Sequence, residues 1–130
     1  MAKAKQERRL ADNETRAVLK SAGTSAQKAR LVLDQIRGKH VEKALAELTF
    51  SKKAISREVK KLLESAIANA ENNHQLNLDD LYVSAAFADK SIVIKRFRAR
   101  ARGRVGKILK PRCHITLVVA EKTQKGKEAA

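Results

Sequence analysis

Arg96-Phe97-Arg98-Ala99-Arg100-Ala101-Arg102-Gly103-Arg104 places an arginine at every second position. A step of two residues turns a helix through about 200°, which would scatter the five arginines over separate faces. In an extended chain they all point one way, about 6.6 Å apart. The intervening Phe97, Ala99, Ala101 and Gly103 are mostly small. Such a pattern suits a flat ribbon whose backbone comes close to a surface while one edge presents guanidinium groups. Arginine pairs with phosphate through two parallel hydrogen bonds, which lysine cannot do.

The stripe belongs to a longer segment. From Lys90 to Ala120, thirty-one residues pass without an acid while ten basic residues accumulate: Lys90, Lys95, Arg96, Arg98, Arg100, Arg102, Arg104, Lys107, Lys110 and Arg112. The chain of 130 residues carries +15, so this segment holds +10 and the remainder shares +5. A field so concentrated repels itself unless a polyanion neutralises it, and nucleic acid is the expected partner.

Strand signals flank the stripe. Val83, Ala85 and Phe87 alternate with Ser84, Ala86 and Ala88, and Ile92 and Ile94 continue the run. His114-Ile115-Thr116-Leu117-Val118-Val119 is rich in β-branched residues. One long hairpin joins them, with residues 82–98 running out, 104–120 returning and the bend near Ala99–Arg104. Each arm of about fifteen residues would reach on the order of 50 Å. Its base can pack on a body and its tip cannot; a two-stranded ribbon alone in water is marginal.

Upstream, Thr15–Lys20 reads as a short strand, with Ala17 and Leu19 opposite Arg16 and Val18. A helix follows, capped by Thr24 or Ser25, with Thr24 and Gln27 at capping-box spacing. Ala29, Val32, Leu33 and Ile36 form its apolar stripe, and Gly38 stops it. Lys28, Arg30 and Arg37 stay on other faces, available for phosphate. Val41, Ala44, Leu45 and Leu48 repeat the spacing in a second helix, broken at Phe50-Ser51. Lys52–Asn73 gives the strongest helical signal through Ile55, Val59, Leu62, Leu63, Ala66, Ile67 and Ala70. The expected class is α+β, a single domain over residues 13–121 between a basic tail (1–12) and a polar tail (122–130).

Composition excludes several functions. Hydrophobic content of 43% is globular. Aromatic residues are 3%, namely Phe50, Tyr82, Phe87 and Phe97, too few for platforms that stack successive bases. Cys113 is the single cysteine, so no disulfide or cysteine-based metal site is expected, and a reducing cytoplasmic setting follows. Met1–Asn13 is charged throughout and unlike a signal peptide, and no apolar stretch approaches the roughly 20 residues that span a bilayer. His40 and His74 fall at helix boundaries. His114 starts a strand beside Cys113, and neighbours in a strand face opposite sides, so the two do not share an ion. Asp79-Asp80 reads as a solvated turn pair rather than a catalytic dyad. No enzyme chemistry, metal or cofactor is expected.

Lys95, then Arg100-Ala101-Arg102-Gly103-Arg104, then His114-Ile115-Thr116-Leu117-Val118-Val119, resembles the signature of the large-subunit ribosomal protein number twenty-two family, bacterial type. Ala29-Arg30-Leu31-Val32 through Ile36-Arg37-Gly38-Lys39 is similar to that family's first helix. Leu63-Glu64-Ser65-Ala66-Ile67-Ala68-Asn69-Ala70-Glu71-Asn72 is similar to the end of its long helix. The resemblance covers roughly residues 14–120. It implies three helices packed on a small three-stranded antiparallel sheet, with a long protruding β-hairpin. It also implies binding to large-subunit rRNA, a part in assembling its domains, and a hairpin tip in the wall of the nascent-peptide exit tunnel, near where macrolides bind. Lys95–Arg104 would be the tunnel-proximal arm, with Arg98, Ala99, Arg100, Ala101, Arg102 and Gly103 at the tip. The candidate RNA contacts are Lys28, Arg30, Arg37 and Lys39 on the body, Lys95, Arg96, Arg98, Arg100, Arg102, Arg104, Lys107, Lys110 and Arg112 on the arm, and His114. Partners implied are large-subunit rRNA, neighbouring ribosomal proteins and the nascent polypeptide, with no membrane and no homo-oligomer. Ala26 and Ala99 stand where relatives often carry proline, the second of which loosens the bend, and Cys113 stands where serine is common.

Two rival functions fit less well. Architectural DNA-binding proteins insert β-ribbon arms into the minor groove with an apolar wedge at the tip; here the only proline, Pro111, lies well down the return strand. A cationic membrane-surface protein wants an amphipathic helix with basic residues opposite bulky apolar ones, whereas the densest charge here is extended.

Overall fold

The computed structural model describes residues 8–122. The expected tails fall partly outside them, at residues 1–7 and 123–130. In chain order the elements are strand β1 (Glu14–Ala22), helices α1 (Ala26–Ile36), α2 (Val41–Phe50) and α3 (Ile55–His74), then strands β2 (Leu81–Ala99) and β3 (Val105–Glu121). The sheet is antiparallel throughout in the order β1-β3-β2. The expected α+β architecture, three helices on a three-stranded sheet with a long hairpin, is what the chain forms.

The helices start and stop for local reasons. At α1 the cap is Ser25, whose hydroxyl accepts from the Lys28 N–H at 3.5 Å, so the Thr24–Gln27 capping box is not used. Gly38 follows the helix at φ +78°, and its N–H donates to the Val83 carbonyl at 2.9 Å. Helix α2 includes Phe50, and α3 begins three residues later than its pattern suggests. There the Ser51 hydroxyl accepts from the Lys53 N–H (3.4 Å) and from the Ser56 hydroxyl (2.8 Å), holding Lys52-Lys53 outside the helix. Gln75 ends α3 in the left-handed conformation (φ 52°), and the Leu76 N–H reaches back to the Ala70 carbonyl at 3.1 Å.

The apolar stripes meet on one side of the sheet. Ala29, Val32, Leu33 and Ile36 of α1, Val59, Leu63, Ala66 and Ala70 of α3, and Ala44 of α2 have no exposed surface. They face Ile115, Leu117 and Val119 of the central strand and Val83, Ala86 and Ala88 of β2. Thr15 is buried with them, its hydroxyl donating to the Ala66 carbonyl.

Two bulges correct the simple alternation. Val83 pairs with Val119, yet Ala85 pairs with Val118, so Ser84 is an extra residue in β2. One inserted residue moves every later side chain to the other face. Ala86 and Ala88 therefore turn into the core, and Phe87, expected to share a face with Val83, lies on the helix-free face at 44% exposure. A second extra residue sits between Lys90 (opposite Cys113) and Val93 (opposite Pro111). It falls where β1 has ended, its last pair being Ala22 with Cys113. Pro111, which has no N–H to donate, is thus placed at a bulge on a stretch bonded on one side only. Beyond this point β2 and β3 continue as a two-stranded ribbon. The protruding part is Ser91–Ala99 and its return, so its reach is roughly 30 Å rather than 50 Å, the rest of β2 being built into the body.

Candidate nucleic-acid interface

The ribbon has two chemically different faces, set by its register. Arg98 pairs with Gly106, Arg96 with Ile108 and Ile94 with Lys110, so these six share one face. Ala99 with Val105, Phe97 with Lys107, Lys95 with Leu109 and Val93 with Pro111 share the other. The first face concentrates arginine. The second joins Lys95 and Lys107 to an exposed apolar strip in which Phe97 is 76%, Val105 62% and Leu109 59% exposed. The strip was not visible in either strand alone, because its members come from both.

The five arginines do not form one straight row. Arg96 and Arg98 lie in β2, and the ladder closes at Ala99–Val105. The bend is held by the Arg100 N–H donating to the Arg104 carbonyl at 2.8 Å, with a single helical turn over Ala101–Gly103. Arg102 (φ 59°) and Gly103 (φ 66°) are both left-handed, and this reverses the chain. The alternation that places Arg96, Arg98 and Arg100 on one face therefore stops at Arg102, which stands at the apex, and Arg104 immediately precedes the return strand. Arg100 folds back on its own face over Gly106, whose missing side chain leaves the room. Gly106 is a positioning residue that the arginine spacing gave no reason to single out.

None of the ion pairs formed among the described residues involves the arm. Arg96 donates only to the neighbouring Lys95 carbonyl. At the arm's root the structure gathers cations from three elements, α1, β2 and β3. Lys28 of α1 lines one recess with Lys110 and Arg112, and Arg30 lines a second with Lys90 and Arg112. Arg112 is anchored by donating to the Ser21 carbonyl at 3.3 Å. Ser21 itself is the bulged, left-handed residue of β1 (φ 55°), and its N–H donates to the His114 Nδ1 at 3.1 Å. That contact puts the proton of a neutral His114 on Nε2, the nitrogen left to an outside partner. Cys113, beside it, is fully buried on the opposite face, as strand geometry requires.

Three body residues already have internal partners. Strand β2 is an edge strand, and the outward carbonyls of Ala86 and Ala88 would be bare. Arg37 donates to the first through Nε (3.1 Å) and Nη2, and Arg30 to the second through Nε (3.2 Å) and Nη2 (2.9 Å). Val83 is paired by Gly38 and Lys39 backbone, both at 2.9 Å. The arginines close an edge that would otherwise template a further strand. Arg37 also pairs with Asp34 at 2.7 Å, and Lys39 with Glu47. Arg30 and Arg37 are thus structural clamps first, with their remaining N–H groups turned outward. Among the described residues no cluster of three metal-ligating side chains occurs.

A compact body of three helices on a sheet, carrying a long ribbon whose cations meet no acid among the described residues, defines a small, strongly basic protein with an extended cationic arm. The chain belongs to the family described as ribosomal protein L22p/L17e, which matches residues 17–120. It is similar to the large ribosomal subunit protein uL22 of Rhodospirillum rubrum, with 61% identity over 122 residues, 94% of this chain and 97% of the relative. It is 65% identical to that of Maricaulis maris over 114 residues, 88% and 90% of the two chains. With that of Rhizobium meliloti it shares 58% identity over 129 residues, 99% and 100%. The family is structural rather than enzymatic, and its members are constituents of the large ribosomal subunit, in the bacterial cytoplasm.

Proposed function

We propose that this protein binds large-subunit rRNA, helps hold its domains together, and sets its hairpin tip into the wall of the nascent-peptide exit tunnel. The observation that carries the reading is the arm. Its basic side chains from Lys90 to Arg112 form no ion pair among the described residues, and its apolar strip is left in water. Both features are unfavourable for a free protein and favourable for one enclosed by RNA. The arginine face, Arg96, Arg98 and Arg100 with Lys110, takes phosphates. The opposite face covers ribose and base surfaces with Phe97, Val105 and Leu109, and Lys95 and Lys107 reach the flanking phosphates. At the root, Lys28, Arg30, Lys90, Arg112 and the His114 Nε2–H extend the surface onto the body, with Arg37 and Lys39 contributing only what their internal pairs leave free. The tip, Arg98 to Gly103 with Arg104 beyond it, is the part a passing polypeptide would meet.

Competitive binding of the purified protein to large-subunit rRNA against duplex DNA of equal charge, across a salt series, tests the reading. Preference for the RNA that persists as salt rises is the expected result. Equal affinities that disappear together would leave only a generic polycation.

A further inference from the structure

We propose that a groove between the start of β1 and the C-terminal half of α3 holds one unpaired nucleotide of the bound RNA. The groove has a volume of about 660 Å³ and is lined by Arg8, Arg9, Arg16, Asn69, Asn73 and His74, with no carboxylate in its wall. None of these residues belongs to the arm or its root. In the sheet order β1-β3-β2 the groove lies on the β1 side, across the central strand from the clamped edge of β2.

Its chemistry divides into two parts. The side chains of Arg9 and Arg16 make no hydrogen bond or ion pair among the described residues, and so are available to phosphate. Arg8 is fixed at the strand's start, donating to the Glu14 carbonyl, 3.5 Å from the His74 Nδ1 and a weak 3.9 Å from Asp12. Asn69 and Asn73 lie one helical turn apart on α3, with the Asn73 Nδ2 at a long 3.4 Å from the Asn69 Oδ1. Each carboxamide offers a donor and an acceptor side by side, the pattern that pairs with a nucleobase edge. The His74 ring and the guanidinium planes give the base surfaces to stack on. Phosphate alone would need only the arginines; the paired amides point to a base. The volume lies within the roughly 300–1,000 Å³ of sites that enclose one small ligand, so a single extruded nucleotide enters and a duplex does not.

The inference rests on the rRNA-binding reading, and the test separates the two. Large-subunit rRNA bound to the full chain is probed chemically at the Watson–Crick edges of all four bases. The wild-type chain is compared with the N69A/N73A double variant and with Asn73→Leu, which keeps the side chain's size and removes its donor and acceptor without adding charge. Alanine favours the helix, so circular dichroism is expected to show the fold retained. The expected result is one unpaired nucleotide protected by wild type and exposed in both variants. Affinity falls about ten-fold for the double variant, while its salt dependence is unchanged because no charge is removed. Identical protection and affinity, with rRNA still preferred over duplex DNA, would overturn the groove alone. No preference for rRNA in the wild type would overturn the reading beneath it and the groove with it.

Discussion

Arg100 lies across Gly106: a methyl group added at Gly106 would sit 3.1 Å from the Arg100 Nε and 3.3 Å from its Cγ. Gly106 is also the register partner of Arg98. Arg98 near the end of the outgoing strand and Arg100 just beyond it thus share one bare position on the return strand. The glycine allows the Arg100 side chain to lie flat on the ribbon instead of standing off it. A guanidinium held flat loses less side-chain freedom on meeting phosphate than one that sweeps through water.

Gly106→Leu is therefore expected to lift Arg100 off the ribbon and weaken rRNA binding, with stability changed by no more than about 0.5 kcal/mol. The site is outside the core and its backbone is not left-handed. Because every charge remains, the slope of log affinity against log salt should stay at the wild-type value. Thermal melts and a salt series check both halves; a core-sized loss of stability would show that Gly106 serves the fold instead.

Arginines at two places should respond to alanine in opposite ways. Arg30→Ala and Arg37→Ala each strip the cap from an outward β2 carbonyl, so each is expected to destabilise the isolated protein by about 1 kcal/mol, discounted because both side chains are partly in water. The triple change of Arg98, Arg100 and Arg102 to Ala removes no packing and should leave the melting temperature unmoved. It should instead flatten the salt slope by about 0.7–0.9 for each phosphate that the variant no longer neutralises. A triple variant that melted early would contradict the assignment of those side chains to an outside partner.

Cys113 gives a pH dependence with a definite sign. Burial pushes its thiol pKa above the ordinary 9.0, and the nearby Glu58 charge pushes it the same way. The folded state then keeps the proton longer than the unfolded chain does, so this contribution to stability is complete below about pH 9 and is lost as pH rises through the folded value. The wild type should lose stability in alkali more steeply than Cys113→Ala. A thiol reagent at neutral pH should label Cys113 only as fast as the protein unfolds. Rapid labelling of folded protein would show that the thiol is not sealed in the core.

What the amino-acid order revealed follows the reach of each interaction. Helical stripes such as Val59-Leu62-Leu63-Ala66 are local, and their faces were readable from spacing alone. The hairpin was readable because charge without acid lay between two strand-forming runs. The Ser84 bulge was not, since an inserted residue leaves no mark in one strand and shows only against Val118 and Val119 of its partner. Arg30 and Arg37 looked like free phosphate ligands for a similar reason. The bare carbonyls of Ala86 and Ala88 that engage them lie some fifty residues on, at an edge that exists only once β2 has paired. The apolar strip across Phe97, Val105 and Leu109 likewise needed the register of both strands.

The arm and the body should differ in their opening equilibria. Ile115–Val119 lies between β1 and β2, bonded on both sides and packed beneath α1 and α3, so its amides open only with the whole domain. From Ile92 to Lys110 the ladder is two strands wide, with no third layer on either face, and such a ribbon is marginal in water. Repulsion among its unpaired cations weakens it further. Hydrogen exchange on the free protein is expected to show slow amides at 115–119 and fast ones at 96–104. Adding large-subunit rRNA should slow the arm by orders of magnitude and leave 115–119 little changed. Strong protection at 96–104 before RNA is added would mean that the ribbon supports itself, and the order of the tip could then no longer be attributed to the RNA around it.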